Sequence, residues 1–132
     1  MKKGEGAFRF AYQTDKYLET CNFYEHKLEF KLEHSWDRNE HDKGALFKAG
    51  SGLIEVLLRP DDEAHRHEGL DYRRPQGAHM CIQVWNIDER FEKYQSIGIP
   101  FEQEIVDQPW GHRSFSILEP NGIVIMFFQE QF

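Results

Sequence analysis

One plan is written twice along this chain, and a duplicated plan leaves few folds open. Residues 7–58 run Ala7-Phe8-Arg9-Phe10-Ala11-Tyr12-Gln13, a helical stretch, a polar loop, Gly44-Ala45-Leu46-Phe47-Lys48, a Gly-Ser-Gly turn, and Leu53-Ile54-Glu55-Val56-Leu57-Leu58. From residue 78 the order returns as Ala78-His79-Met80-Cys81-Ile82-Gln83-Val84, a helix, a Pro-containing loop, Ser114-Phe115-Ser116-Ile117-Leu118, a Pro-Asn-Gly turn, and Ile123-Val124-Ile125-Met126-Phe127-Phe128. Each half therefore reads as strand, helix, then two or three strands. Tyr17, Cys21, Tyr24 and Leu28 share one helical face, as do Phe91, Tyr94 and Ile97. Thr14 or Asp15 suits the N-cap of the first helix. Asp88 opens the second, and Gly98 followed by Pro100 ends it.

A chain of 132 residues is expected to be a single domain, with module one at 7–58, a linker at 59–77 and module two at 78–130. The linker holds Pro60, Asp61, Asp62, Glu63, Arg73, Arg74 and Pro75 with hardly an apolar residue. It reads as a solvated crossover, with a flap over a binding site as the alternative. The net charge of -7 has the wrong sign for gripping phosphates or an anionic membrane. No apolar run approaches a membrane span and no signal-like segment follows Met1, so a soluble, cytoplasmic protein is expected. Cys21 and Cys81 fit no zinc spacing and read as reduced core thiols.

Strand alternation sends Phe8, Phe10 and Tyr12 one way and Arg9, Ala11 and Gln13 the other. In the second half Met80, Ile82 and Val84 form the greasy face, opposite His79, Cys81 and Gln83. The face without large hydrophobes looks like a pocket wall. Glu55 interrupts an apolar strand, so its carboxylate must meet a cation, meet donors, protonate or face a wet cavity. Its counterpart is Met126. Arg9 to Glu55 is 46 positions and His79 to Met126 is 47, as a duplication would give. An approximate twofold between the halves would bring these four residues to one central site.

Phe23-Tyr24-Glu25-His26-Lys27-Leu28, Gly52-Leu53-Ile54-Glu55, Gly77-Ala78-His79, Pro109-Trp110-Gly111 and Glu119-Pro120-Asn121-Gly122, in this order, resemble the vicinal oxygen chelate superfamily of glyoxalases, bleomycin-resistance proteins and extradiol dioxygenases. The resemblance implies an α+β fold of two tandem βαβββ modules whose curved mixed sheets enclose a central cleft, commonly in a homodimer. It also implies four metal positions, held here by Arg9, Glu55, His79 and Met126. Arginine has no lone pair to donate, and a thioether suits hard divalent ions poorly. Glu55 and His79 alone fall short of the three protein ligands usual at catalytic zinc. No metal site and no cofactor are therefore expected, a divalent metal being the alternative. Arg9 could instead pair bidentately with Glu55 or bind an anionic group of a ligand.

Two functions follow. The first is a metal-free binding module that captures a small aromatic or cationic compound, with Arg9, Gln13, Gln83, Trp110 and Met126 as ligand-binding residues. The alternative is a metal-dependent lyase, isomerase or dioxygenase acting on a small oxygenated substrate. In an acid-base enzyme Glu55 or His79 would be the catalytic base and Arg9 would stabilise the oxyanion. A partner protein using the fold only to dimerise has no positive signal. His34, His41, His65, His67 and His112 read as surface loop histidines.

Overall fold

The computed structural model describes residues 6–66 and 73–131. The first half gives β1 (Arg9–Thr14), α1 (Tyr17–Asn22), β2 (Leu32–Asn39), β3 (Asp42–Ala49) and β4 (Gly52–Leu58). The second gives β5 (His79–Gln83), α2 (Ile87–Ser96), β6 (Phe101–Asp107), β7 (His112–Leu118) and β8 (Val124–Glu130). Two separate four-stranded sheets result, ordered β1-β4-β3-β2 and β5-β8-β7-β6. In each, the first strand lies parallel to the last and the other pairings are antiparallel. This is a two-module α+β fold with mixed, unclosed sheets.

The number of strands per half is settled at four by β2 and β6, stretches read from sequence as loops. Both are outer strands exposed on nearly every residue, so neither shows the apolar alternation that betrays a half-buried strand. The helices also depart from expectation. In neither does the N-cap residue supply a side-chain cap: Lys16 and Asn86 hold those positions, Asp88 lies inside the first turn of α2, and the Ile87 N–H there is taken by the Gln129 side chain at 3.1 Å. Thr14 acts one residue earlier, its hydroxyl accepting from the Lys16 N–H at 2.9 Å. The short α1 continues as a wide π turn, Phe23–Lys27, in which the Leu28 N–H reaches the Phe23 carbonyl at 2.9 Å. Widening that turn seats both Phe23 and Tyr24 in the core. Gly98, at φ 78°, ends α2 in the left-handed conformation that glycine adopts without strain.

One face of each sheet packs on the helices. Ile54 and Val56 of β4 and Ile125 and Phe127 of β8 are essentially sealed from water, as are Tyr24, against Phe47, and Tyr94, against Phe115 and Phe127. The two halves share one core: Phe30 meets Phe127 edge-on at 6.3 Å, and the Tyr94 hydroxyl donates to the Leu28 carbonyl at 3.4 Å. Two expectations fail at the margins of this core. Phe8 is 78% exposed and Ile97 48%; Phe8 precedes β1 and Ile97 follows the last residue of α2. Cys81 is exposed and departs from the core-thiol expectation, whereas Cys21 is half-buried and packs against the core.

A polar clasp also joins the halves. The turn from β7 to β8 carries Glu119, whose side chain is 3% exposed. One carboxylate oxygen accepts from the Tyr12 hydroxyl and from the Asn121 amide, both at 2.9 Å. The other accepts from the backbone N–H of Ile123 at 3.0 Å and from that of Asn121. The Thr14 hydroxyl donates to Asn121 at 2.6 Å, and the Asn121 amide donates to the Thr20 hydroxyl at 3.0 Å. The burial of a carboxylate is thus offset by donors alone. Among the described residues, no helix is long and apolar enough to cross a membrane.

Candidate functional site

The free faces of the two sheets are built alike, row by row. Across sheet one, register places Ala11, Glu55, Leu46 and His34 side by side. Across sheet two the equivalent row is Cys81, Met126, Ser116 and Gln103. Glu55 and Met126 therefore hold matching places, and Arg9 and His79 each stand two residues before the head of their row. A neighbouring row on sheet one runs Gln13, Leu57, Gly44, Trp36. The glycine there is a necessity: a Cβ at Gly44 would lie 2.1 Å from the Trp36 ring. Trp36 lies against this bare stretch of backbone and donates its indole N–H to Asp42 at 3.0 Å.

Glu55 meets its cation. The Arg9 Nη1 stands 3.6 Å from Glu55 Oε1, with the Glu55 side chain 20% exposed and that of Arg9 53%. The separation is that of an ion pair and exceeds hydrogen-bond length, so this is one charge contact and not the bidentate fork anticipated from sequence. As a donor set the four inherited positions do not fit a divalent ion. A guanidinium offers no lone pair and repels a cation beside Glu55, and a thioether is soft. Among the described residues, no group of three or more His, Cys, Asp and Glu side chains could hold a metal ion.

His79 and Gln83 line a hollow of about 740 Å³ where the free edge of β5 faces β1 and the Gly50-Ser51-Gly52 turn. Side chains from both faces of β5 contribute, among them Met80 and Cys81. Phe8 and Trp85, 78% and 77% exposed, stand in its walls. Arg9, Glu55, Met126 and Trp110 are not among its walls. A second hollow, of about 810 Å³, includes Gln13 and shares Phe10 with the first. Trp110 projects from the turn between β6 and β7, 58% exposed, its ring 6.5 Å from that of His112. The structure thus brings Arg9 to Glu55, and His79 to Gln83. Among the described residues, no hydrogen bond or ion pair joins the first couple to the second or to Met126.

Sequence reasoning missed two histidines of the free faces. His34 belongs to β2, in the row of Glu55, and His112 opens β7, its ring stacked on Phe128 at 4.6 Å. β2 carries no apolar alternation that would have drawn His34 out of a loop reading. His41 and His65 stack on each other at 3.5 Å, and His65 Nδ1 lies 2.6 Å from Asp62 Oδ1. That neighbour holds the Asp62 carboxyl below its usual range. His67 lies outside the described residues.

Comparison with known proteins agrees with this architecture. A bleomycin resistance protein of Geobacillus stearothermophilus is 28% identical over 120 residues, covering 84% of this chain and 86% of that protein. One from Staphylococcus aureus gives the same figures. Among solved structures, TioX from Micromonospora sp. ML1 superposes with a TM-score of 0.75 at 15% identity, covering 96% of this chain and 99% of that one. Lactoylglutathione lyase from Agrobacterium tumefaciens gives 0.72 at 16%, covering 96% and 95%. At these identities the structures speak for the fold alone. The doubled sheet order has its counterpart in sequence, where residues 7–127 match the Glyoxalase/Bleomycin resistance protein/Dioxygenase superfamily, and to that superfamily this chain belongs.

Proposed function

We propose that this chain binds a small organic ligand without a catalytic metal, Arg9 supplying to Glu55 the positive charge that a metal ion supplies in metal-using members. The observation that carries the reading is the 3.6 Å contact between the Arg9 guanidinium and the Glu55 carboxylate. The hollow beside His79 and Gln83 gives a ligand both apolar walls and polar anchors, the usual make-up of small-molecule sites. Trp85 and Phe8 offer aromatic faces at its rim. Gln13, Trp110 and Met126 belong to the proposed binding surface, while Glu55 and His79 are its groups able to take up a proton.

A homodimer acting in the cytoplasm completes the proposal. β1 and β5 are edge strands, each with one unpaired side, and both free thiols are compatible with a reducing compartment. Sedimentation at several concentrations tests the dimer.

Tryptophan fluorescence titrated with a panel of small aromatic compounds tests the binding itself, with quenching by at least one member expected. Elemental analysis of the purified protein, repeated on Glu55→Gln and His79→Ala, tests the metal. Stoichiometric metal present in the parent and lost from both variants would replace this reading with a metal-dependent lyase, isomerase or dioxygenase.

A further inference from the structure

The overall charge of -7 favours a cationic ligand, yet the charged residues among the described walls of the second hollow are of the opposite sign. Its described lining includes three arginines, Arg59, Arg73 and Arg74, and two glutamines, Gln13 and Gln76, and among those described residues there is no Asp or Glu. Phe10 and Pro75 add apolar surface. Arg59 follows β4 directly, and its backbone N–H is tied to the Thr14 carbonyl at 2.9 Å. Arg74 is braced from outside the hollow by Asp15, Nη2 to Oδ2 at 2.8 Å. Arg59 and Arg73 engage partners of their own. A guanidinium has five N–H donors, so the pairing of Arg74 with Asp15 leaves others to turn toward a ligand.

We infer that this hollow receives the anionic group, a carboxylate or phosphate, of a small organic ligand. The inference rests on the ligand-binding reading above and names the ligand's charge. Planar guanidiniums match the paired oxygens of such groups, and a concave, partly apolar wall concentrates their field against the acidic surroundings. Gln13 and Gln76 serve neutral oxygens or hydroxyls on the same molecule, and Phe10, common to both hollows, lets its body extend toward His79. Arg59 and residues 73–76 of the segment between the modules then act as a wall of the site, beyond connecting two sheets.

Calorimetric titration of the full chain with 1-naphthoate, 1-naphthyl phosphate and 1-naphthylmethylamine holds the ring constant and varies the charge. Both anions are expected to bind at least about tenfold more tightly than the amine, with affinity falling as salt rises. Arg73→Gln and Arg73→Glu change an exposed residue and are expected to weaken the anions about tenfold or more while sparing thermal stability. Arg113→Gln removes the same charge from β7, where Arg113 pairs with Asp88 and Asp107, and is expected to leave anion affinity within about twofold. A preference for carboxylate or for phosphate identifies which group the hollow receives. Binding of the amine as tight as that of the anions overturns the inference, as does anion binding indifferent to Arg73 while Arg73→Gln remains folded. Both of those results leave the ligand-binding reading standing. Absence of binding by all three overturns the inference and removes support from that reading as well.

Discussion

Replacing Tyr12 by Phe deletes a single oxygen, and the clasp between the modules makes its effect calculable. Tyr12 has one hydroxyl proton, which it gives to Glu119 at 2.9 Å; the contact with the Tyr24 hydroxyl at 2.9 Å must therefore be one in which Tyr24 donates. Tyr12→Phe removes a hydrogen bond to a charged acceptor, about 1.5–3 kcal/mol, and strands the donor of Tyr24, which is wholly buried, for about 1–3 kcal/mol more. Glu119 keeps its three remaining donors, so the sum is an upper bound and a loss of about 3 kcal/mol is expected. Tyr24→Phe removes only the outer donor and leaves the Tyr12 to Glu119 bond intact, so about 1 kcal/mol is expected. Urea denaturation of the parent and both variants measures this, with the slope m unchanged. A double-mutant cycle with Glu119→Gln should show coupling of about 1–3 kcal/mol. Equal losses for the two tyrosines, or a Tyr12→Phe variant within about 0.5 kcal/mol of the parent, would refute the assigned direction of the chain.

Burial raises the hydroxyl pKa of both Tyr12 and Tyr24 above the ordinary tyrosine range, with Glu119 and the neighbouring tyrosine adding to it for Tyr12. A raised folded-state value means stability that is complete below about pH 10 and declines above it, as the unfolded chain alone releases these protons. Ionisation of these two tyrosines should thus accompany unfolding, and a rise in tyrosinate absorbance before unfolding that is lost in Tyr12→Phe or Tyr24→Phe would contradict this. Gly44→Ala should push Trp36 off its backbone seat and cost about 1–3 kcal/mol by overpacking, visible as a change in tryptophan emission together with a lowered urea midpoint. Iodoacetamide should modify exposed Cys81 before Cys21, whose thiol is half-buried and pushed up to about 11 chiefly by that burial. Peptide mapping reads the order, and Cys81→Ser should remove the fast phase.

The duplication was legible because each core strand announces itself: Ile54 and Val56 alternate with Leu53, Glu55 and Leu57, and Ile125 and Phe127 alternate with Val124, Met126 and Phe128. Glu55 stood out for the same reason, as a carboxylate among apolar residues. β2 and β6 did not, because a strand wetted on both sides has no period to read. Glu119 looked like part of a turn. Its burial depends on Tyr12, 107 positions away, and no local pattern carries such a pairing. The hollow lined by Arg59, Arg73 and Arg74 is equally non-local, since a linker read by composition gives no sign of which wall it will complete.

The parallel pairing of first and last strand has a temporal side. Arg9 finds its neighbour Leu53 only after 44 further residues have been made, and His79 waits 45 for Val124. At about 5–20 residues per second on a ribosome, the opening strand of each half stays without its mate for several seconds. Through that interval a nascent chain would carry a bare aromatic segment, Phe8 to Tyr12, with its backbone unclaimed. The first half can zip shut as soon as Leu58 is free of the exit tunnel. Its Tyr12 hydroxyl still waits for Glu119, so final locking is deferred until the β7–β8 turn of the second half has been made.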